Sequence, residues 1–326
     1  MISSHFSSFN FSLRRALDHP AIDLLAPARL VDVRLAGGRV GAVLVEHPDG
    51  RREEITCRAA LLATSGFGAD PSRVRRHIPE IAGATYHGSE WALGDALAIG
   101  ERLEARTGYL DAYQGHAAVA LPAGTLVGWA TVMHGGFMVN VGGSRFGDET
   151  RGYSEYAALL AAQPEGSGWL VFDQRIHDAC LRFRDFADTV ASGALVWADD
   201  VAALARATGL PVHPLRDTFA AAGGSAAGGA DAFGRTHWEA PLAPPFAAVR
   251  VSPCLFHTQG GLAVDGCARV YGADGQTIGG LYAAGGAAMG ISGHGAAGYL
   301  AGNGLLPALG LAYLATGDVA TRAAAD

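Results

Sequence analysis

Gly280-Leu-Tyr-Ala-Ala-Gly-Gly286 and, three residues later, Gly290-Ile-Ser-Gly-His-Gly-Ala-Ala-Gly-Tyr-Leu-Ala-Gly-Asn-Gly-Leu-Leu306 form the stretch around which this chain is organised. The apolar run Leu281 to Ala284 reads as a buried strand closed by Gly285 and Gly286. A loop follows in which every second or third residue is glycine, and Gly304-Leu-Leu-Pro-Ala-Leu-Gly-Leu-Ala-Tyr-Leu-Ala315 opens an apolar helix. Glycine lets backbone N–H groups approach a ligand with no Cβ in the way, and the helix start offers unpaired donors and a positive dipole end. Two readings stay open for such a loop: a ligand cradle, or tight packing of a strand on a helix.

The wider composition bounds the classes. The 326 residues are 49% hydrophobic and only 17% charged, enough for two domains or one large one. A net charge of −7 and the lack of a basic run argue against nucleic acid. The 46 glycines cluster around apolar segments without a period, which suits a cofactor-binding α/β protein. Cys57, Cys180, Cys254 and Cys267 lie far apart with no CxxC spacing, so a metal role is not expected and a reducing compartment is. Met1-Ile-Ser-Ser-His-Phe6 has no basic region followed by an apolar core, and no apolar run reaches membrane-spanning length. A cytoplasmic protein without a membrane span is expected.

Along the chain, residues 11–25 read as a helix. Leu30–Leu35, Arg39–Val45 and a third strand after the Pro48-Asp-Gly50 turn read as an antiparallel meander. An apolar strand then runs into Thr64-Ser-Gly-Phe-Gly68, Asp70-Pro-Ser72 signals a helix start, and Gly94-Asp95 opens another helix. From about residue 111 the character changes. Strands at Gly136–Asn140 and Trp169–Asp173, Ala-rich helices and a Pro-rich hinge at 241–246 suggest an α+β cap domain. It would span 112–256, inserted into an α/β domain made of 1–111 and 257–326.

Five of these segments, in order, resemble the motifs of the FAD-dependent fumarate reductase, succinate dehydrogenase and 3-ketosteroid dehydrogenase flavoproteins. Ala63-Thr-Ser-Gly-Phe-Gly68 is similar to that family's ATGGFG. Gly94-Asp95 resembles its GDG turn, with Ala96 in place of the last glycine. Val139-Asn-Val-Gly-Gly-Ser-Arg-Phe-Gly-Asp-Glu149 resembles VNxxGxRFxNE, and His257-Thr-Gln-Gly-Gly261 resembles HTMGG. The fifth is the stretch from Gly280 to Leu306 itself. The resemblance implies a Rossmann-like FAD-binding domain with a cap closing a substrate pocket over the flavin ring. It also implies FAD contacts at Ala63, Thr64, Gly66, Asp95, Gly285, Gly302, Asn303, Leu305 and Leu306, with the helix start near the N1/O2 edge of the ring.

The departures are informative too. The family's N-terminal GxGxxG unit has no counterpart, for residues 1–24 contain no glycine. Flavin binding is then weak, lost, or completed by a second chain carrying that unit. Gly286 stands where the family has the glutamate of AAGE. At the family's dicarboxylate-binding positions stand Phe256, Tyr153 and Tyr299, and tyrosines cannot replace bidentate arginines; Arg151 is the available substitute. Tyrosines at both places instead resemble the ketosteroid-dehydrogenase branch, where a phenol polarises a ketone or relays a proton. The resemblance thus implies removal or addition of hydrogen across a C–C bond beside a carbonyl, on an apolar ketone. Tyr299 and Tyr153 are the catalytic candidates, with His257 as a flavin contact or base. The alternatives are a split flavoprotein subunit, inactive without its partner, and a dicarboxylate reductase using Arg151. His294, His134 and a Glu149–Arg145 ion pair complete the candidates.

Overall fold

The computed structural model describes residues 17–324, which divide into two compact units meeting at residues 60 and 61. The helix expected over 11–25 falls partly outside the described residues, and 18–25 are turns and irregular chain.

The first unit is the expected meander. β1 (Arg29–Ala36) pairs antiparallel with β2 (Arg39–Glu46), and β2 with β3 (Arg52–Thr56). The β1–β2 turn needs positive φ at both central residues, supplied by Gly37 at 58° and Gly38 at 76°. Val33, Val40, Ala42 and Val45 are its buried residues.

The second unit opens with β4 (Ala60–Leu62), then α1 (Pro71–His77), β5 (Thr85–Tyr86), α2 (Asp95–Arg102) and β6 (Thr107–Gly108). Both helix starts fall where the sequence signals them. Asp70 caps α1 by accepting from Ser72 N and Arg73 N, and Gly94 precedes α2 at φ 78°. β7 (Tyr113–Ala120), α3 (Ala130–Met133), β8 (Phe137–Asn140), α4 (Tyr153–Ala161) and β9 (Gly168–Asp173) follow. After α5 (Gln174–Cys180), α6 (Arg184–Ala191), β10 (Leu195–Ala198), α7 (Val201–Thr208) and α8 (Val212–Ala226), the chain enters β11 (Phe246–Thr258).

β11 is the axis of this unit. Its first half lies between β10 and β9, with β8 beyond β9, and its second half pairs with β7 antiparallel and β5 parallel. Helices α7 and α8 bury Leu204, Ala205 and Leu215 against Phe137, Val139, Val171 and Phe246 of the sheet. The chain returns through β12 (Gly261–Leu262), β13 (Arg269–Tyr271) and β14 (Thr277–Ala283), and Ala284 N beyond β14 donates to Leu62 O of β4 at 3.0 Å. α9 (Leu305–Ala323) closes the chain, tied back by Tyr282 Oη donating to Asp318 at 2.8 Å. The architecture is mixed α/β, with parallel and antiparallel pairs.

Candidate active site

The strand–loop–helix stretch of residues 280–306 lines much of a cavity of about 580 Å³. Its floor is glycine and alanine: Ala284, Gly285, Gly286, Ala288, Gly290, Gly302 and Gly304. Gly302 adopts φ +88° and a Cβ there meets nothing, so the glycine serves the turn. Gly286 is different. A Cβ there would sit 2.6 Å from Gly66 N, while one at Gly66 would strike Thr258 Oγ1. Gly66 and Gly286 are therefore packed face to face in this chain. Between them the loop 63–66 and the end of β14 come together, with Phe67 N donating to Thr258 Oγ1 at 3.1 Å.

Of the residues expected to contact a cofactor, Ala63, Gly285, Gly302, Asn303 and Leu305 line this cavity. Thr64 lies between two lining residues, Ala63 and Ser65, and its buried Oγ1 has no hydrogen-bond partner. Gly66, Asp95 and Leu306 do not line it: Gly66 packs under the floor, Asp95 begins α2, and Leu306 is exposed. The expected row of free donors at the helix start is also reduced. Gly302 turns its carbonyl back over the first turn, so Leu305 N and Leu306 N both donate to it, and Pro307 has no N–H. The α9 dipole remains; hydrogen bonding to a ligand passes to side chains.

Those side chains are Gln114, His257, Gln259, Tyr299 and Asn303. The antiparallel register sets His257 of β11 opposite Gln114 of β7, and Cys254 opposite His116. His257 Nδ1 meets Gln259 Nε2 at 2.9 Å. Gln259 Oε1 and Ser292 Oγ in turn accept from Asn303 Nδ2, and Asn303 Oδ1 accepts from Ile291 N at 3.2 Å. Burial pushes the His257 pKa down, opposed by a Thr258 backbone contact. Among the described residues, no arginine or lysine lines it.

Tyr299 belongs to two cavities. It lines the main one and a second of about 180 Å³, shared with Arg151, Tyr153, Glu155, Ala296, Ala297 and Ala301. Tyr153 begins α4 after Gly152 at φ 120°, and α4 is set on β7 by Gly115 N donating to Ser154 Oγ at 3.0 Å. Tyr153 Oη donates to Tyr299 Oη at 3.4 Å. Burial pushes the Tyr299 phenol well above the usual tyrosine range. Arg151 is largely exposed and paired with Glu155 at 2.5 Å.

One residue of this constellation escaped the sequence reading. His116 is 5% exposed and stacks on the Tyr153 ring, centroids 5.1 Å apart and planes at 24°, with Trp129 and Phe256 around it. Its Nδ1 accepts from Ala118 N at 3.1 Å, and burial, with His87 nearby, pushes its pKa down to about 3. The signal was the period-2 spacing of Gln114 and His116 at the start of an apolar strand. The other candidates lie elsewhere. His294 pairs with Asp111 at 2.9 Å and is exposed, and His134 pairs with Glu239 at 2.7 Å. Glu149 does pair with Arg145, within a buried network that also holds Arg235 and Asp231.

The FAD binding domain family matches residues 8–305. A probable fumarate reductase of Shewanella frigidimarina is 28% identical over 87% of this chain and 48% of its own length. A 3-oxosteroid 1-dehydrogenase of Mycolicibacterium smegmatis is 28% identical over 96% of this chain and 62% of its own. The chain thus spans about half to three-fifths of the length of these two relatives. Among solved structures, the open conformation of a flavocytochrome c3 fumarate reductase superposes with a TM-score of 0.77 at 26% identity, covering 95% of this chain and 55% of that one. A 3-ketosteroid delta1-dehydrogenase from Sterolibacterium denitrificans shares the fold, with a TM-score of 0.75 at 21% identity, covering 95% and 62%. With the family matched over most of this chain, the chain belongs to the FAD binding domain family, whose cofactor is FAD.

Proposed function

We propose that this chain holds the isoalloxazine end of FAD and serves an oxidoreductase that adds or removes hydrogen across a C–C bond beside a carbonyl. The flat glycine floor, the unpaired Thr64 Oγ1 and the dipole end of α9 fit a planar, electron-poor ring. FAD bound there supplies the hydride acceptor or donor. The residues supply the rest. Tyr153 donates to Tyr299, which leaves the Tyr299 proton free to hydrogen-bond a substrate carbonyl and acidify the neighbouring C–H. His116 stacks behind Tyr153 and holds its ring. The residues 112–256 act as the cap that brings Tyr153 over the substrate.

The observation that carries this reading is the Tyr153–Tyr299 contact, which ties Tyr153 to a residue of the main cavity, where no arginine or lysine stands among the described lining residues. A neutral, apolar ketone suits that surface. The dicarboxylate alternative is disfavoured by Arg151, which is absent from the main cavity and already paired with Glu155.

The adenosine and pyrophosphate end of FAD calls for a glycine-rich unit beyond the described residues, and a second chain carrying it is part of this proposal. Leu305, Leu306, Leu309 and Tyr313 are each more than 60% exposed along α9, an apolar surface that such a unit would cover. No described helix is long and apolar enough to cross a membrane. Four unpaired cysteines fit the reducing cytoplasm we assign. Anaerobic mixing of FAD-loaded protein with a saturated 3-ketone should bleach the flavin, and mixing of the dithionite-reduced protein with an enone should restore its colour. Neither change with either substrate would overturn the activity.

A further inference from the structure

We infer that Gln259 is a positioning residue that locks His257 in one neutral tautomer, with Nδ1 as acceptor and Nε2–H as a fixed hydrogen-bond donor to the cavity. This rests on the flavin-site reading for its purpose, but its geometry stands on the chain alone. Amide and imidazole orientations are ambiguous in isolation; here an unambiguous donor sets them all. A backbone N–H can only donate, and Ile291 N points at Asn303 Oδ1, 3.2 Å away. Asn303 must therefore turn its Nδ2 toward Gln259 and Ser292, so the atom of Gln259 that faces it is the acceptor Oε1. Gln259 then presents Nε2 to His257, and Nδ1 of His257, 2.9 Å away, accepts. Three side chains pass one backbone direction to one ring.

The relay is well placed to hold. Gln259, Ser292 and Asn303 are each under 5% exposed, where a mispaired polar group is costly. The ring nitrogen left over faces the start of α9: a Cβ at Gly304 would lie 3.0 Å from His257 Nε2, and both residues line the main cavity. Because Leu305 N and Leu306 N are already bonded to Gly302 O, Nε2–H supplies the donor that this helix start lacks. Its ligand is an oxygen or nitrogen acceptor on a planar ring or a carbonyl. His257 is by this account a neutral donor at working pH, and not a general base.

Long-range proton–nitrogen NMR on histidine-labelled protein decides the matter without turnover. The His257 signals are identified by their loss in His257→Asn. The expected result for the wild-type chain, with or without added FAD, is a single tautomer from about pH 7 to about pH 9, with an unprotonated Nδ1 and a protonated Nε2. Gln259→Glu presents only acceptors, so it should move the proton to Nδ1 or charge the ring, and weaken FAD binding about 10- to 100-fold. A wild-type ring protonated on Nδ1, or one unchanged in Gln259→Glu, overturns the lock. If Gln259→Glu does not fold, the wild-type tautomer still decides. A correct tautomer in a chain that takes up no flavin would sink the flavin reading and leave the lock intact.

Discussion

Tyr153 and Tyr299 stand 146 positions apart in sequence, yet their phenol oxygens meet at 3.4 Å and their ring centroids at 5.8 Å. One comes from the first turn of α4, the other from the glycine-rich loop before α9. The contact joins the two parts of the chain from which the proposed chemistry is assembled.

Tyr299→Phe removes the hydroxyl that faces both cavities and keeps the ring. Turnover should fall about 10²- to 10⁴-fold, the usual worth of a positioned proton donor, while flavin content stays the same. Tyr153→Phe should fall less, since it acts on the substrate through Tyr299. Stopped-flow reduction of the bound flavin measures both.

The pH profile follows from the directions of the shifts. Burial keeps Tyr299 protonated above the ordinary tyrosine range and keeps His257 neutral below the ordinary histidine range. Neither group then titrates between these limits, and turnover should be flat from about pH 7 to about pH 10. A bell centred near pH 7 would show that a histidine works as the base.

His116 couples folding to acid. Its folded-state pKa is about 3, below the ordinary value, so the unfolded chain binds the extra proton in between. The stabilisation is complete above about pH 6.5 and is lost as pH falls toward 3, by about 2 kcal/mol between pH 7 and 5. Urea unfolding should show that loss in the wild type between pH 7 and 5 and not in His116→Phe, since phenylalanine keeps the stacking and has nothing to protonate.

Gly286→Ala places a Cβ 2.6 Å from Gly66 N, against backbone that has no rotamer to adjust. A cost of about 1–3 kcal/mol is expected, with the loss of any flavin site built on that floor. By contrast Gly302→Ala meets no neighbour and suffers only from its φ of +88°; thermal melts should rank it milder.

The meander, both early helix starts and the strand–loop–helix at the end were legible because each rests on local signals: turn glycines, an Asp cap, an apolar run. The lining of the main cavity was partly legible. Motif likeness marked Ala63, Gly285, Gly302 and Asn303, all of which line the cavity, but it also marked Gly66, whose glycine is explained by packing on Thr258. His116 was hidden because it reaches Tyr153 only once β7 and α4 are stacked. The Gln259 relay was hidden because it needs residues 259, 292 and 303 in one place. The free donors expected at α9 are reduced because Leu305 N and Leu306 N both bond to Gly302 O, an arrangement that no pattern of residue types specifies.

The most direct measurement is a fluorescence titration of FAD, and of riboflavin as the ring-bearing half, with this chain. Binding to the cavity predicts saturable quenching by both ligands at micromolar protein, with riboflavin retaining most of the affinity because the described residues hold the ring. It further predicts that Gly286→Ala abolishes quenching. Flavin fluorescence unchanged by the wild-type chain up to about millimolar protein, the weak end of specific binding, would contradict the claim that this cavity is a flavin site.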